Sequence, residues 1–161
     1  MCGIAGLIHK NKTVNIGKEL EDMLQALKHR GPDSTGFALY GEGENNSYIM
    51  RFKVGENVKE GSSASNEGDE VYDARKAQVD KYLAELGAEV VSEDQITPYS
   101  FKYIINYDKD LMEFSKKIES VEMTEILSIG KSLELVKDIG DAGVVSKQYG
   151  LDKIRGTHAI G

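Results

Sequence analysis

The sequence predicts an α+β fold, and three patterns along its 161 residues lead to that prediction. An apolar stripe with helical spacing runs through four residues, Leu20, Met23, Leu24 and Leu27. Large apolar residues alternate with smaller or polar ones, with the two-residue period of a strand, at Tyr99, Phe101, Tyr103, Ile105 and Tyr107. Short apolar runs in the first 54 residues predict further strands around the first helix.

The first 54 residues are predicted to form a strand, a helix, a turn and two more strands, in that order. The apolar run over 1–9 predicts a buried strand. The helix is expected over 17–29 and ends at Gly31-Pro32, because proline cannot continue the hydrogen-bond ladder. Strands at 37–40 and 48–54 follow, joined by a turn rich in glycine and asparagine.

The rest of the chain predicts an inserted α+β subdomain. The polar stretch 56–70 cannot bury much apolar surface and is expected to be a linker. A helix, a strand and a second helix are predicted at 72–87, 99–107 and 111–121. The segments 126–129 and 133–136 are expected to pair as a hairpin. The prediction is therefore one domain, formed by 1–55 and 151–161, that is interrupted by a subdomain with an acidic linker at 56–150.

Composition and charge exclude several classes of partner. The net charge is −7, and the acidic residues are concentrated in 56–94, which contain eleven acids and four bases. The sequence has no stripe of basic residues of the kind that binds nucleic acid, so no nucleic-acid partner is expected. No apolar run is long enough to cross a bilayer, and the first residues do not resemble a signal peptide, so no membrane partner and a cytoplasmic location are expected. The single cysteine fits a reducing compartment, and the three histidines lack metal-ligand spacing, so no metal or cofactor is expected.

Cys2 is a candidate nucleophile because of its position in the chain. Removal of Met1, which is common before a small residue, would leave Cys2 with a thiol and a free α-amine on the same carbon. An α-amine has an unperturbed pKa of about 7.7–8.0, against about 10.4 for lysine, so part of it is unprotonated at neutral pH and can act as a base. A thiol needs such a base, because the thiolate is the nucleophile. Position alone leaves open that Cys2 is a small buried hydrophobic residue.

Two stretches of the chain resemble the class II glutamine amidotransferase family, a group of N-terminal nucleophile hydrolases. The first is Met1–Gly6, with the sequence MCGIAG, and the second is His29–Phe37, with the sequence HRGPDSTGF. They are separated by a single predicted helix, as in the family. The resemblance implies a four-layer α/β/β/α sandwich, with two antiparallel sheets between helical layers and the nucleophile at the start of a central strand. This chain would hold an incomplete copy of that sandwich.

The resemblance also implies roles for individual residues. Cys2 would be the nucleophile and its own α-amine the base, while Arg30 would lie close to the cysteine and order the site. The Gly31 carbonyl would hold the α-amine, and the missing side chain permits close approach. Asp33 and Ser34 would stabilise the turn. From the residues alone, Arg30 could instead be a favourable charge at a helix C-terminus, and Gly31 part of a helix stop signal.

The implied reaction is hydrolysis of the glutamine side-chain amide through a cysteinyl thioester. It yields glutamate and ammonia, and the ammonia would pass to a synthase domain or subunit. In the family, the substrate-binding residues lie on a strand and on loops. Residues 155–161 resemble the lead into that strand, and no Asn-Gly pair for an oxyanion hole occurs in the sequence. Substrate-binding residues are therefore expected beyond Gly161, and this chain alone is expected to show no appreciable glutaminase activity.

Two questions stay open from the sequence. The insertion and the approach to Gly161 resemble the glutamate-synthase type of amidotransferase domain, while the start of the chain and the run His29–Asp33 suit asparagine synthetase nearly as well. A non-catalytic module that binds a partner subunit is the alternative from another functional class. Loss or retention of Met1 would discriminate between an enzyme and such a module.

Overall fold

The computed structural model describes residues 2–30, 33–43, 46–56 and 68–161. Within them the helices are α1 Ile16–Ala26, α2 Asp69–Leu86, α3 Leu111–Ile118 and α4 Ala142–Tyr149. Short 3₁₀ helices are formed by Lys28–Arg30 and Leu151–Lys153. The strands are β1 Gly6–Ile8, β2 Ser34–Gly41, β3 Tyr48–Lys53, β4 Glu89–Thr97, β5 Ser100–Asn106, β6 Glu125–Gly130, β7 Leu133–Ile139 and β8 Gly156–Ile160.

The chain forms two compact units that differ in extent from the predicted domains. Unit 1 comprises Met1–Gly43 and Ser132–Gly161, and unit 2 comprises Glu44–Lys131. Strand β3, which the sequence placed in the first domain, thus lies in unit 2. The segment 132–150, which the sequence placed in the insertion, lies in unit 1. Each of these segments belongs to the unit that contains the strands with which it pairs. Those pairings join residues that are distant in sequence.

Unit 1 contains an antiparallel sheet in the order β1-β8-β2-β7, with Leu39 opposite Ala159 and Phe37 opposite Val136. These four residues are buried, as are Leu20 on α1 and Val145 on α4. The helices α1 and α4 contact each other and the sheet, and their apolar faces complete the core of this unit. Of the predicted apolar stripe of α1, Leu20 and Leu24 are buried, whereas Leu27 is half-buried and Met23 is 38% exposed.

Unit 2 contains a second antiparallel sheet, in the order β4-β5-β3-β6. Its core combines alternate residues of the two middle strands with the apolar sides of α2 and α3, namely Met50, Phe52, Phe101, Tyr103, Ile105, Tyr72, Val79, Leu83, Phe114 and Ile118. The predicted helices at 72–87 and 111–121 and the strand at 99–107 correspond to α2, α3 and β5. The predicted linker falls largely on 57–67, which lie outside the described residues.

The hairpin predicted between 126–129 and 133–136 is wrong. Strand β6 pairs with β3, whereas β7 pairs with β2, so the two strands belong to different sheets. Lys131 and Ser132 do separate two strands, but local turn chemistry does not determine which partner each strand finds.

The N-terminal strand is shorter and more exposed than predicted. Only Gly6–Ile8 form β1, and the strand lies at one edge of the sheet in unit 1. Ile4 and Ile8 are 77% and 79% exposed, so this run is not a buried strand. Residues Cys2–Ala5 precede the strand. No helix among the described residues is long and apolar enough to cross a membrane.

Candidate active site

A cavity of about 480 Å³ lies in unit 1. The N-terminal segment, the end of α1, the start of β2 and the start of α4 all contribute to its wall. Its lining residues are Cys2, Gly3, Leu24, Leu27, Lys28, His29, Arg30, Asp33, Ser34, Thr35, Gly36, Asp141, Ala142 and Gly161. The structure thus brings four of the predicted residues to one cavity, namely Cys2, Arg30, Asp33 and Ser34.

Cys2 is exposed and lies on the wall of this cavity. The segment that carries it is held by a pair of backbone hydrogen bonds, in which Ala5 and Gly161 exchange N–H and C=O groups at 2.9 Å. Gly3 lets this segment approach the end of α1, since a Cβ on Gly3 would lie 3.3 Å from Leu27 Cβ and 3.7 Å from Arg30 Cβ. Sequence reasoning did not single out Gly3, although its place directly after Cys2 was the available signal.

Arg30 ends the 3₁₀ helix that continues from α1. Its backbone N–H donates to the Leu27 carbonyl at 2.8 Å, and the Leu27 N–H donates to the Leu24 carbonyl at 3.0 Å. The residue is exposed and lines the same cavity as Cys2. Gly31, the third predicted site residue, lies outside the described residues, as does Met1. The proposed contact between the Gly31 carbonyl and the α-amine is therefore still a prediction.

Asp33 and Ser34 lead from the cavity into β2. The Asp33 carbonyl accepts a hydrogen bond from the Gly140 N–H at 3.1 Å, and Ser34 is the first residue of the strand. One residue further on, the Thr35 hydroxyl donates to the Gly140 carbonyl at 2.8 Å. The start of β2 is thus fixed to the turn between β7 and α4.

Asp141 is the charged residue of the site that sequence reasoning missed. Its carboxylate lies 2.7 Å from Lys28 Nζ and accepts hydrogen bonds from the Gln25 side-chain amide at 2.9 Å and from the Val144 N–H at 3.1 Å. The Lys28 contact, followed by those to Gln25 and Val144, lowers the pKa of Asp141 to about 2. Asp141 therefore caps α4 and binds the end of α1 with the same carboxylate.

This pKa predicts a pH-dependent contribution of Asp141 to stability. Because the folded-state pKa lies below the ordinary aspartate pKa of 3.8, the contribution is complete above about pH 4 and is lost as the pH falls through about 2. We expect Asp141→Asn to lower the free energy of unfolding by roughly 1 kcal/mol at pH 6, since Lys28 is half exposed and the pair is screened by solvent. In urea denaturation series, the difference from wild type should shrink between pH 4 and pH 2.

Asp110→Asn is the matched control for that series. Asp110 caps α3 by accepting from the N–H groups of Met112 and Glu113, and no lysine contacts its carboxylate among the described residues. Asparagine caps helices about as well as aspartate, so we expect little change at either pH. A loss in Asp141→Asn that stays constant from pH 6 to pH 2 would contradict the ion pair with Lys28.

No group of three or more histidine, cysteine, aspartate or glutamate side chains within the described ranges is placed to hold a metal ion. The chemistry that the cavity offers is that of a thiol with an arginine and a lysine–aspartate pair on the same wall. Of these groups, the thiol is the one that can act as a nucleophile, in its thiolate form.

Two curated proteins are similar to the chain over its whole length. The "Putative glutamine amidotransferase" of Methanothermobacter thermautotrophicus is 32% identical over 166 residues, which are 100% of this chain and 50% of that protein. The "Glutamine amidotransferase-like protein GlxB" of Rhizobium meliloti is 26% identical over 167 residues, which are 100% of this chain and 48% of that protein. The chain spans about half the length of these relatives, and no protein-family model matches it. Both relatives carry the name of a glutamine amidotransferase or of a protein like one.

Proposed function

We propose that the chain supplies the nucleophile of a class II glutamine amidotransferase. The observation that carries the proposal is the exposed thiol of Cys2 on a cavity wall that also bears Arg30. Glutamine as the substrate is supported by the names of the two relatives. The four-layer sandwich of the N-terminal nucleophile hydrolases is part of this proposal, and the antiparallel sheets of the two units are compatible with it.

In the proposed reaction, removal of Met1 frees the α-amine of Cys2, which takes the proton of its own thiol. The thiolate attacks the amide carbon of glutamine, the α-amine passes the proton that it took from the thiol to the amide nitrogen, and the tetrahedral intermediate collapses to a γ-glutamyl thioester as ammonia leaves. Water then hydrolyses the thioester to glutamate and regenerates the thiol. Ammonia passes to a synthase domain or subunit.

The proposal also covers what the 161 residues contribute to the whole reaction. The relatives are about twice as long as this chain, so we place the residues that hold glutamine in the part of the relatives that it does not match. We propose the glutamate-synthase type of domain because unit 2 interrupts unit 1 between β2 and β7. On this proposal the isolated chain has no appreciable glutaminase activity.

Intact mass spectrometry of the full-length gene product, before and after treatment with 6-diazo-5-oxo-L-norleucine, tests the proposal. This glutamine mimic alkylates a thiolate nucleophile with loss of nitrogen gas. We expect a mass without Met1 and one adduct, mapped to Cys2 and absent from Cys2→Ala. Retained Met1 would overturn the α-amine mechanism and favour the non-catalytic module. An adduct that forms equally fast on urea-unfolded protein would show that the cavity adds nothing to the reaction.

A further inference from the structure

The turn between β7 and α4, at Gly140 and Asp141, contacts two segments that line the cavity. On one side, Asp141 contacts Lys28 at 2.7 Å, at the first residue of the 3₁₀ helix that ends in Arg30. On the other side, the Gly140 N–H donates to the Asp33 carbonyl at 3.1 Å, and the Gly140 carbonyl accepts from the Thr35 hydroxyl at 2.8 Å. The turn therefore contacts the chain at Lys28, before Arg30, and at Asp33 and Thr35, where β2 begins.

The contacts of Asp141 are more than those of a helix cap. Oδ1 accepts from the Gln25 side chain and from the Val144 N–H, while Oδ2 faces Lys28 Nζ. Gln25 lies in the last turn of α1 and Lys28 follows it, so one carboxylate binds both sides of the junction between α1 and the 3₁₀ helix. The Asp141 side chain is 19% exposed, and Lys28 is 53% exposed. The less exposed partner of the pair is thus the one that belongs to the turn.

We propose that Asp141 is a positioning residue that keeps Arg30 on the wall of the cavity beside Cys2. It acts by holding Gln25 and Lys28, and with them the 3₁₀ helix that presents the arginine. The inference rests on the proposed function in taking Cys2 as the reacting group. A cation on the cavity wall that bears the thiol attracts anionic reagents. Loss of the position of Arg30 therefore changes how Cys2 reacts.

The rates at which Cys2 is alkylated by iodoacetate and by iodoacetamide test this proposal in the folded 161-residue chain. Cys2 is the single cysteine, so each rate reports on one thiol. Iodoacetate is an anion and iodoacetamide is neutral. The ratio of the iodoacetate rate to the iodoacetamide rate, divided by the same ratio in urea-unfolded chain, is a normalised ratio that measures the local charge around the thiol. At low ionic strength we expect wild type to favour iodoacetate about threefold or more.

Two variants then separate positioning from simple loss of charge. Asp141→Asn keeps a helix cap and removes a negative charge, so electrostatics alone would raise the normalised ratio. Positioning predicts the opposite, a fall toward the ratio of Arg30→Gln. Gln25→Leu changes no charge and removes one of the hydrogen bonds to the Asp141 carboxylate, so a fall in that variant has no direct electrostatic source. It also keeps the test available if Asp141→Asn fails to fold.

A double variant identifies the route of the effect. If Asp141 acts through Arg30, Asp141→Asn causes no further fall in an Arg30→Gln background. Asp110→Asn, at the cap of α3 in unit 2, is expected to leave the ratio at the wild-type value. The proposal is overturned if the ratio rises or stays unchanged in Asp141→Asn and Gln25→Leu, or if it falls equally without Arg30. Retained Met1 would defeat the proposed function and leave this measurement intact, so the two failures are distinguishable.

Discussion

A Gly17→Ala variant is expected to lose about 3 kcal/mol of free energy of unfolding. The sign is opposite to the usual one, because alanine is favoured over glycine inside helices by about 1 kcal/mol. Gly17 lies in the first turn of α1, where its N–H donates to the Ile154 carbonyl at 3.1 Å. A Cβ at this position would overlap the carbonyl oxygen of Leu151 and lie 2.8 Å from its carbonyl carbon. These are backbone atoms, so α1 and the 151–154 segment would have to separate.

Equilibrium urea denaturation of the 161-residue chain measures this loss, and Gly36→Ala is the matched control. A Cβ on Gly36 would lie 3.7 Å from the Val136 carbonyl oxygen, which is an ordinary van der Waals contact, so we expect a change well below that of Gly17→Ala. A Gly17→Ala variant as stable as wild type would show that α1 does not pack on this backbone. Because α1 leads into the 3₁₀ helix that carries Arg30, the variant should also lower the iodoacetate preference of Cys2.

The elements that could be predicted from the sequence are those whose burial follows a local period. The stripe of α1 and the alternation in β5 each have one apolar side facing a core, and both appear in the structure close to the predicted bounds. Strand β4 was not predicted because residues 89–95 are all exposed, so no period distinguishes its two faces. It forms a strand because it pairs with β5, and this pairing does not produce a pattern of apolar residues within β4 itself.

Helix α4 was also missed, although its ends are marked in the sequence. Asp141 caps its start, and Gly150 ends it with a φ of 63°, a backbone conformation that favours glycine. With eight residues, among them Gly143 and two valines, the helix is too short and too weakly patterned to be distinguished from a strand. The sequence instead favoured an insertion that ran on to residue 150.

The site divides in the same way between local and distant information. Cys2 and Arg30 were predicted because each sits in a short motif, and the structure places both on one cavity. Asp141 could not be predicted, since its contact with Gln25 joins residues 116 positions apart. Its identity as a cap is a local signal, whereas its contact with the wall of the cavity depends on the packing of α4 against α1.

A Cys2→Ala variant of the full-length gene product is expected to lose at least about 10³-fold in glutamine hydrolysis. The thiol is the group that forms the covalent intermediate, and the 161 residues contain no second cysteine to replace it. Glutamate release in a coupled assay measures the loss, and thermal unfolding of the same sample checks that the protein is folded. Substantial turnover by Cys2→Ala would exclude Cys2 as the nucleophile.

Insertion of one alanine between Met1 and Cys2 tests the more specific part of the mechanism. Removal of Met1 then leaves alanine at the N-terminus, so the thiol is kept while the free α-amine moves to the preceding residue. If that amine is the base, activity should fall nearly as far as in Cys2→Ala, although Cys2 still reacts with iodoacetamide. Wild-type protein should gain activity as the pH rises toward about 8, where an ordinary α-amine loses its proton. Near-normal turnover by the insertion variant would mean that the α-amine of Cys2 is not the base. A different group would then take the proton of the thiol.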